Sequence, residues 1–492
     1  MKLCDIVKEK EAVIFGDGET EVFGLSHNTN ELKAGDMYFC LKGTKVDGHD
    51  FAFDAVKKGA SVIVSEKRLE LPEGATNVVV GSTRRAMAEF ASEFFLNPSK
   101  DMIVIMITGT NGKTTTSYMI AKIFESAGKK VGVVGTNGVF VGSKKHESGM
   151  TTPDPIFLQQ MLAEMKDSGV QIVVMEMSAH ALFYEKNWGV MSDISIFSNL
   201  TQDHLDFFLD MQSYGQAKKK LFSKKHSKFA VLNADDEFTR EIIDGIDIPY
   251  VTYARSHDAD FALASSCDNF VGQTFDVLFD GGRLDAKINL AGLFNISNAL
   301  SAIAAAKLCG VSNEQIRSGL LKLESVPGRF NVKIAAGKKW VIDYAHTPDG
   351  LVNILSSARE LLNKANGGKL ISVFGCGGNR DKLKRPLMGE ISSRLSDITV
   401  ITSDNPRFEE PERIIDEIAS GVNAGAKVFK EVNRKKAIAL ASKLAGENDI
   451  IVVSGKGAED YIDIQGEKVH YSDNEAIEEL ETIEELGEGG RE

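Results

Sequence analysis

The chain has 492 residues, 43% hydrophobic and 26% charged, with a formal charge of −13 at pH 7. That length exceeds what one core serves and implies about two to four domains, while the composition excludes disordered and fibrous classes. The acidic balance argues against nucleic acid and anionic membranes, which need a basic face, so local Lys and Arg clusters mark any anionic substrate.

From the N-terminus, Met1–Lys10 lacks the apolar stretch of a secretion signal, and no later segment reaches the roughly 18 apolar residues of a membrane span. Residues 1–98 alternate short apolar strands (Met37–Leu41, Val62–Val64, Val78–Val80) with polar turns and read as a small first domain. Asn97–Asp101 reads as a linker. Residues 99–326 open with Met102–Ile107, an apolar run expected of a central parallel strand. A Gly-rich turn follows, then a helical pattern (Met119, Ile120, Ile123, Phe124, Ala127) stopped by Gly128, then a strand at Val131–Val134. Residues 327–492 repeat the alternation, with strands at Trp340–Ile342, Leu370–Phe374, Ile398–Thr402 and Ile450–Val453. The Glu-rich tail from Ser472 is expected to be a solvated helix with a frayed Gly-rich end. Cys4, Cys40, Cys267, Cys309 and Cys376 are scattered, without a C-x-x-C pair, and are expected as buried reduced thiols. The predicted fold is α/β with three domains: a smaller α/β unit, a central P-loop doubly wound domain and a Rossmann-like C-terminal domain. The expected compartment is the cytoplasm.

Between strand and helix lies Thr108-Gly109-Thr110-Asn111-Gly112-Lys113-Thr114-Thr115. Its backbone N–H groups and the helix N-terminus can enclose phosphate oxygens. Lys113 suits the β- and γ-phosphates, and the Thr114 hydroxyl suits Mg²⁺. The strict P-loop pattern would place Gly where the chain has Ile107, so the loop is a variant. Glu176 ends the apolar strand Ile172–Met175 and would point into the same crevice as a metal ligand; the alternative is a helix-capping carboxylate. Taken alone, the loop permits an ATPase, a kinase, a ligase or a nucleotide-gated switch.

Further segments narrow this: Met175–Leu182, Asn199–Asp206 with its D-H-L-D, Tyr214–Phe222, Thr151–Asp154, Gly292–Leu300, Val326–Phe330, Asp343–Gly350, Phe374–Asp381, Asp404–Arg407 and Gly455–Tyr461. Together they resemble the Mur ligases, which build the peptide of the bacterial cell wall, over nearly the whole chain. The resemblance implies an ADP-forming ligase using ATP and Mg²⁺. It is closest to members that join a diamino acid to UDP-N-acetylmuramoyl-L-alanyl-D-glutamate through an acyl phosphate.

By the same resemblance, Gly109, Thr110, Asn111, Gly112, Lys113, Thr114, Thr115, Asn298, Arg329 and Asp343 hold ATP. Thr114 and Glu176 take one Mg²⁺; His204 and Lys218, the latter carbamylated by CO₂, take a second. Lys113, His204 and Lys218 are then the catalytic set. Without the resemblance, Lys218-Lys219-Lys220 would read as a solvated basic face. The nucleotide-sugar peptide falls to Thr29, Thr151, Thr152, Ser178 and Lys186, with the first domain binding the UDP-sugar. Tyr184 and Lys186 stand where relatives carry Gln and Arg. The C-terminal domain binds the amino acid through Arg380, Asp404, Asn405, Arg407, Gly455 and Glu459. Arg407 suits the distal carboxylate of meso-diaminopimelate, which L-lysine lacks; the alternative is a surface ion pair with Glu409 or Glu410. A monomer is expected. The competing readings are an L-lysine-adding ligase, a folylpolyglutamate synthetase and an inactive nucleotide-binding regulator.

Overall fold

A computed structural model describes residues 1–43, 46–269, 272–364 and 367–488. It contains three mixed sheets of five, eleven and six strands and a separate two-stranded ribbon, a three-domain α/β fold. The frayed end expected after the tail helix falls on residues 489–492, outside the described residues.

In the first sheet, strands Gly24–Ser26, Asp36–Phe39, Val62–Ser65 and Thr76–Val80 run parallel, and Ala12–Phe15 pairs antiparallel to the last. Their apolar side chains are covered by the helix Thr83–Phe94 through Ala86, Met87 and Phe90. The segment expected as a loose linker is ordered instead. Pro98–Asp101 forms a 3₁₀ turn with Pro98 and Ser99 buried, because Asn97 adopts a left-handed φ of 50° and turns the chain back against the second domain.

The central sheet is built around Ile103–Thr108. Ile105 and Ile107 enter one core with the helices Lys113–Ser126, Phe294–Leu308 and Asn313–Lys322. Val104 and Met106 enter another with the helix Pro155–Asp167. Both faces are covered, which is why the strand is apolar throughout rather than alternating; each such side chain contributes roughly 1.5–3 kcal/mol by burial. Ile172–Glu176 and then Val131–Gly135 lie on one side of it in parallel, and Ile194–Phe197 and then Ala230–Asn233 on the other. The chain thus reverses its winding beside Ile103–Thr108, and the crevice at the carboxyl ends of these strands is where such sheets take ligands. Antiparallel pairs extend both edges, Gly138–Val141 with Lys144–His146 on one side and Phe261–Asn269, Gly272–Phe279 and Gly282–Ile288 on the other, and were not anticipated from the sequence.

The third sheet runs in the order Asn331–Ala335, Lys338–Asp343, Ile450–Ser454, Leu370–Phe374, Ile398–Thr402, Val428–Glu431. All but the first are parallel. Among the described residues no helix is long and apolar enough to cross a membrane. All five cysteines are free, but only Cys40 and Cys376 are buried; Cys267 is exposed on the strand Phe261–Asn269.

Candidate active site

The phosphate loop follows Ile103–Thr108 and ends at the N-terminus of Lys113–Ser126. Ile107 is fully buried within the strand, so the turn begins later than in the strict pattern. Neighbouring side chains dictate the two loop glycines. A Cβ on Gly109 (φ 149°) would lie 1.9 Å from Ser198 Oγ, and one on Gly112 (φ 87°) 2.4 Å from Asn298 Oδ1. Lys113 Nζ donates to the carbonyls of Gly109 (2.8 Å) and Thr110 (2.9 Å), folding back over its own loop. Burial lowers its pKa, Glu176 opposes that shift and Arg329 adds to it. Thr115 lines the same cleft, and Asn298 is fixed by donating to Asn295 Oδ1 at 3.0 Å.

Glu176 is buried at the end of its strand. It accepts from the Thr114 hydroxyl (2.9 Å) and from the Thr136 hydroxyl (3.0 Å) and backbone N–H (3.1 Å). It caps no helix: Ser178 caps Ala179–Phe183 by accepting from the Ala181 N–H. Thr136 also meets Thr151, hydroxyl to hydroxyl, at 3.1 Å. Thr152 bridges the Glu176 carbonyl (2.8 Å) and the Ser178 N–H (3.1 Å), and Lys186 Nζ donates to the Thr152 carbonyl at 3.3 Å. Thr151, Thr152, Ser178 and Lys186 therefore gather beside Glu176. Thr29 does not: it lies in a turn of the first domain, outside this cleft, its carbonyl accepting from Lys58.

Across the cleft, His204 has a left-handed φ of 56°, and its ring lies edge-on to His180 with centroids 4.7 Å apart. Burial is the main cause holding both imidazoles below their ordinary pKa and therefore neutral at pH 7. Lys218 projects from the helix Met211–Lys219 and is 1% exposed. Its amine lies 4.3 Å over the Tyr214 ring, with no hydrogen bond or close ion pair among the described residues, and the charge of Asp203 acts on it from farther off. Burial, reinforced by the charge of Lys113, pushes it well below its ordinary pKa.

The third domain closes the cleft, which encloses about 510 Å³. Arg329 donates to the Thr114 hydroxyl at 3.3 Å while its guanidinium lies 4.7 Å from the Tyr344 ring centroid. Asp343 accepts the N–H groups of Phe330 and Ala345, each at 2.6 Å, and burial raises its pKa against the pull of Arg329. Asp349 Oδ2 accepts from Asn111 Nδ2 (2.8 Å) and the Thr201 hydroxyl (3.2 Å), tying the third domain directly to the phosphate loop. Thr136, Tyr214 and Asp349 were not among the expected site residues. Asp349 could have been found in the Asp343–Gly350 motif, whereas nothing local marks Thr136.

A second cluster forms where the third sheet's strands end. Asp404 and Asn405 are buried. Asn405 donates to Glu459 Oε2 (3.0 Å) and accepts from Lys456 Nζ (3.0 Å) and the Asp463 N–H (2.9 Å). A Cβ on Gly455 would stand 2.5 Å from Asp404 Oδ2. Arg407 donates to the Gly378 carbonyl at 2.9 Å and faces Asp463 at 3.6 Å, so the surface pair with Glu409 or Glu410 does not form. Glu409 is instead engaged by Arg385 and Lys382. Arg380 is exposed, and its charge adds to the burial that lowers the His180 pKa, which places it between the two clusters. Lys456, fully buried beneath Asn405, was missed because a lone Lys in a Gly-rich turn carries no local sign of burial.

Phosphate loop, strand-end carboxylate and a cleft shared by two α/β domains define a nucleotide-dependent ligase of one class. Residues 21–95 match the Mur ligase family catalytic domain, 107–306 the Mur ligase middle domain and 328–457 the Mur ligase glutamate ligase domain. The chain belongs to the Mur ligase family. It is 42% identical over 484 residues to UDP-N-acetylmuramoyl-L-alanyl-D-glutamate--2,6-diaminopimelate ligase 1 of Clostridium acetobutylicum, covering 98% of this chain and 99% of that one. It is 40% identical over 459 residues to the Aquifex aeolicus UDP-N-acetylmuramoyl-L-alanyl-D-glutamate--2,6-diaminopimelate ligase, covering 93% of each. A solved structure of a ligase of that name aligns over 99% of both chains with 28% identity and a TM-score of 0.71. A Mycobacterium tuberculosis folylpolyglutamate synthase complexed with ADP shares the fold at 17% identity and TM-score 0.64, covering 75% of this chain and 91% of that one.

Proposed function

We propose that the protein joins meso-diaminopimelate to UDP-N-acetylmuramoyl-L-alanyl-D-glutamate with hydrolysis of ATP to ADP and phosphate. The substrate carboxylate attacks the γ-phosphorus and ADP leaves. The incoming amine then adds to the acyl phosphate, loses a proton, and expels phosphate to leave the amide. The observation that carries this reading is the buried amine of Lys218, without a close ion pair among the described residues, in the same cleft as Lys113 and Glu176. Support for the amine comes from the relatives' names and from Arg407, whose fork suits a distal carboxylate.

Both steps bring anions together, and fixed cations are the main help a protein can give. Lys113 supplies one. The Thr114 hydroxyl and the Glu176 carboxylate, 2.9 Å apart, suit a hard cation such as Mg²⁺. Neutral His204 suits a second Mg²⁺, and burial, by lowering the Lys218 pKa, favours the neutral amine that CO₂ carbamylates into an anionic ligand. Bound Mg²⁺ would supply charge neutralisation at the phosphates. The loop from Gly109 to Thr115, with Asn298, Arg329 and Asp343, holds ATP from two domains, which excludes water from the acyl phosphate. Thr29, Thr151, Thr152, Ser178 and Lys186 hold the nucleotide-sugar peptide, and Arg380, Asp404, Asn405, Arg407, Gly455 and Glu459 the diamino acid. We assign these roles to units at 1–98, 99–326 and 327–492, acting as a cytoplasmic monomer, since one chain builds the whole cleft.

The test supplies the protein with ATP, Mg²⁺ and UDP-muramoyl dipeptide and compares the two amines. ADP release with meso-diaminopimelate and little with L-lysine is expected, along with loss of turnover on chelation. AMP and pyrophosphate as products would overturn the reading.

A further inference from the structure

The third domain contains a buried ion pair that the mechanism above does not use. Arg434, at the start of the helix Arg434–Leu444, and Asp473, at the start of the C-terminal helix, both have fully buried side chains. The guanidinium binds Asp473 with two bonds, Nε to Oδ1 and Nη2 to Oδ2, each 2.8 Å. Nη2 also donates to the Ser454 carbonyl at 2.9 Å, on the residue before Gly455. Tyr471 braces the pair by donating to Asp473 Oδ1 at 3.0 Å. Nη1 has no hydrogen-bond partner among the described residues, and its counter-charge is Asp404 Oδ2 at 3.9 Å. The other Asp404 oxygen is taken by the Asn405 N–H at 2.7 Å. Asp473 and Asp404 sustain the guanidinium's charge against the burial that opposes it. An orphan N–H on a buried cation is unfavourable, and here it points at the first residue of the Asp404–Arg407 motif.

We infer that Arg434, locked by Asp473 of the C-terminal helix, is a positioning residue for the amine substrate and acts by aiming the Asp404 carboxylate. The inference rests on the reading that Asp404–Arg407 receives the diamino acid. It makes the C-terminal helix part of the amine site, although the helix contributes no residue that touches the substrate. Lys in place of Arg434 keeps the charge but loses the planar fork, so it cannot hold Asp473, Ser454 and Asp404 together.

The experiment measures KM separately for diaminopimelate, ATP and UDP-muramoyl dipeptide in R434K, D473N and the double variant. R434K is expected to raise the diaminopimelate KM at least tenfold, leaving the other two within twofold. D473N should follow in the same direction. The double variant should be no worse than R434K, because both act through Asp404. A fall in kcat or melting temperature with the diaminopimelate KM within twofold would overturn the inference. Should R434K fail to fold, Tyr471→Phe decides by the same selective rise, expected at about threefold, and a KM unchanged there counts against it. Absence of turnover by the unsubstituted chain with either amine would instead sink the ligase reading beneath it.

Discussion

The phosphate-loop cleft and the Asp404–Arg407 cluster hold their charges in opposite ways. In the cleft the buried amine of Lys218 lies over a tyrosine ring without a close ion pair among the described residues, and Lys113 turns to the carbonyls of its own loop. In the cluster each buried cation already has a carboxylate: Arg434 has Asp473, and Lys456 has Glu459 at 3.5 Å. Unpaired buried amines are unfavourable to the fold, whereas a paired one largely offsets its desolvation and becomes strongly unfavourable when its partner is removed. On the proposed reading, the difference separates a place prepared for incoming anions from a place that orients a zwitterion.

The largest effect should come from Lys218→Met, with turnover falling by roughly 10²–10³. The same variant should melt higher than the unsubstituted chain in CO₂-depleted buffer at pH 7. The sign follows from linkage: the unfolded lysine, with its pKa at 10.5, holds its proton more tightly than the buried amine, whose pKa burial lowers. Stability therefore rises with pH toward 10.5, and at pH 7 the amine works against the fold. A lower melting temperature would break the comparison. Next, Arg407→Ala should raise the diaminopimelate KM about tenfold to a hundredfold, the size of lost charge-assisted bonds. Steady-state rates with L-lysine should hardly change, and an equal loss for both amines would refute recognition of a distal carboxylate.

Asp349→Asn should have a smaller effect, because it weakens one bond between the third domain and Asn111 rather than removing a reacting group. ATP affinity should fall about threefold to tenfold, with a larger radius of gyration in solution scattering; unchanged dimensions would show that the bond does not hold the domains together. Smallest is His226→Gln, outside both sites. Burial lowers the His226 pKa to about 4 from 6.5, so stability is complete above 6.5 and lost as pH falls toward 4. Urea unfolding at pH 7 and pH 4.5 should show a shallower acid loss in the variant, by about 1–2 kcal/mol.

Much of the frame was legible from residue order. Leu370–Phe374 and Ile398–Thr402 were read to the residue, because a strand covered on both faces must be apolar throughout. The outlying strands Gly138–Val141, Lys144–His146, Phe261–Asn269, Gly272–Phe279 and Gly282–Ile288 were missed, since strands that mix polar and apolar residues resemble loops. The ordered turn at Pro98–Asp101 was missed as well, because Pro98 and Ser99 are buried only once two domains meet.

The site divides along the same line. The sequence by itself determined the phosphate loop, Glu176 at its strand end and the α/β alternation, since each depends on neighbours a few residues away. Only the tertiary structure decided that Asp349 would reach Asn111, that Arg407 would face Asp463 rather than Glu409, and that Lys218 would be buried without a close ion pair. Those outcomes turn on distance and burial between segments far apart in the chain, and local residue pattern carries no measure of either.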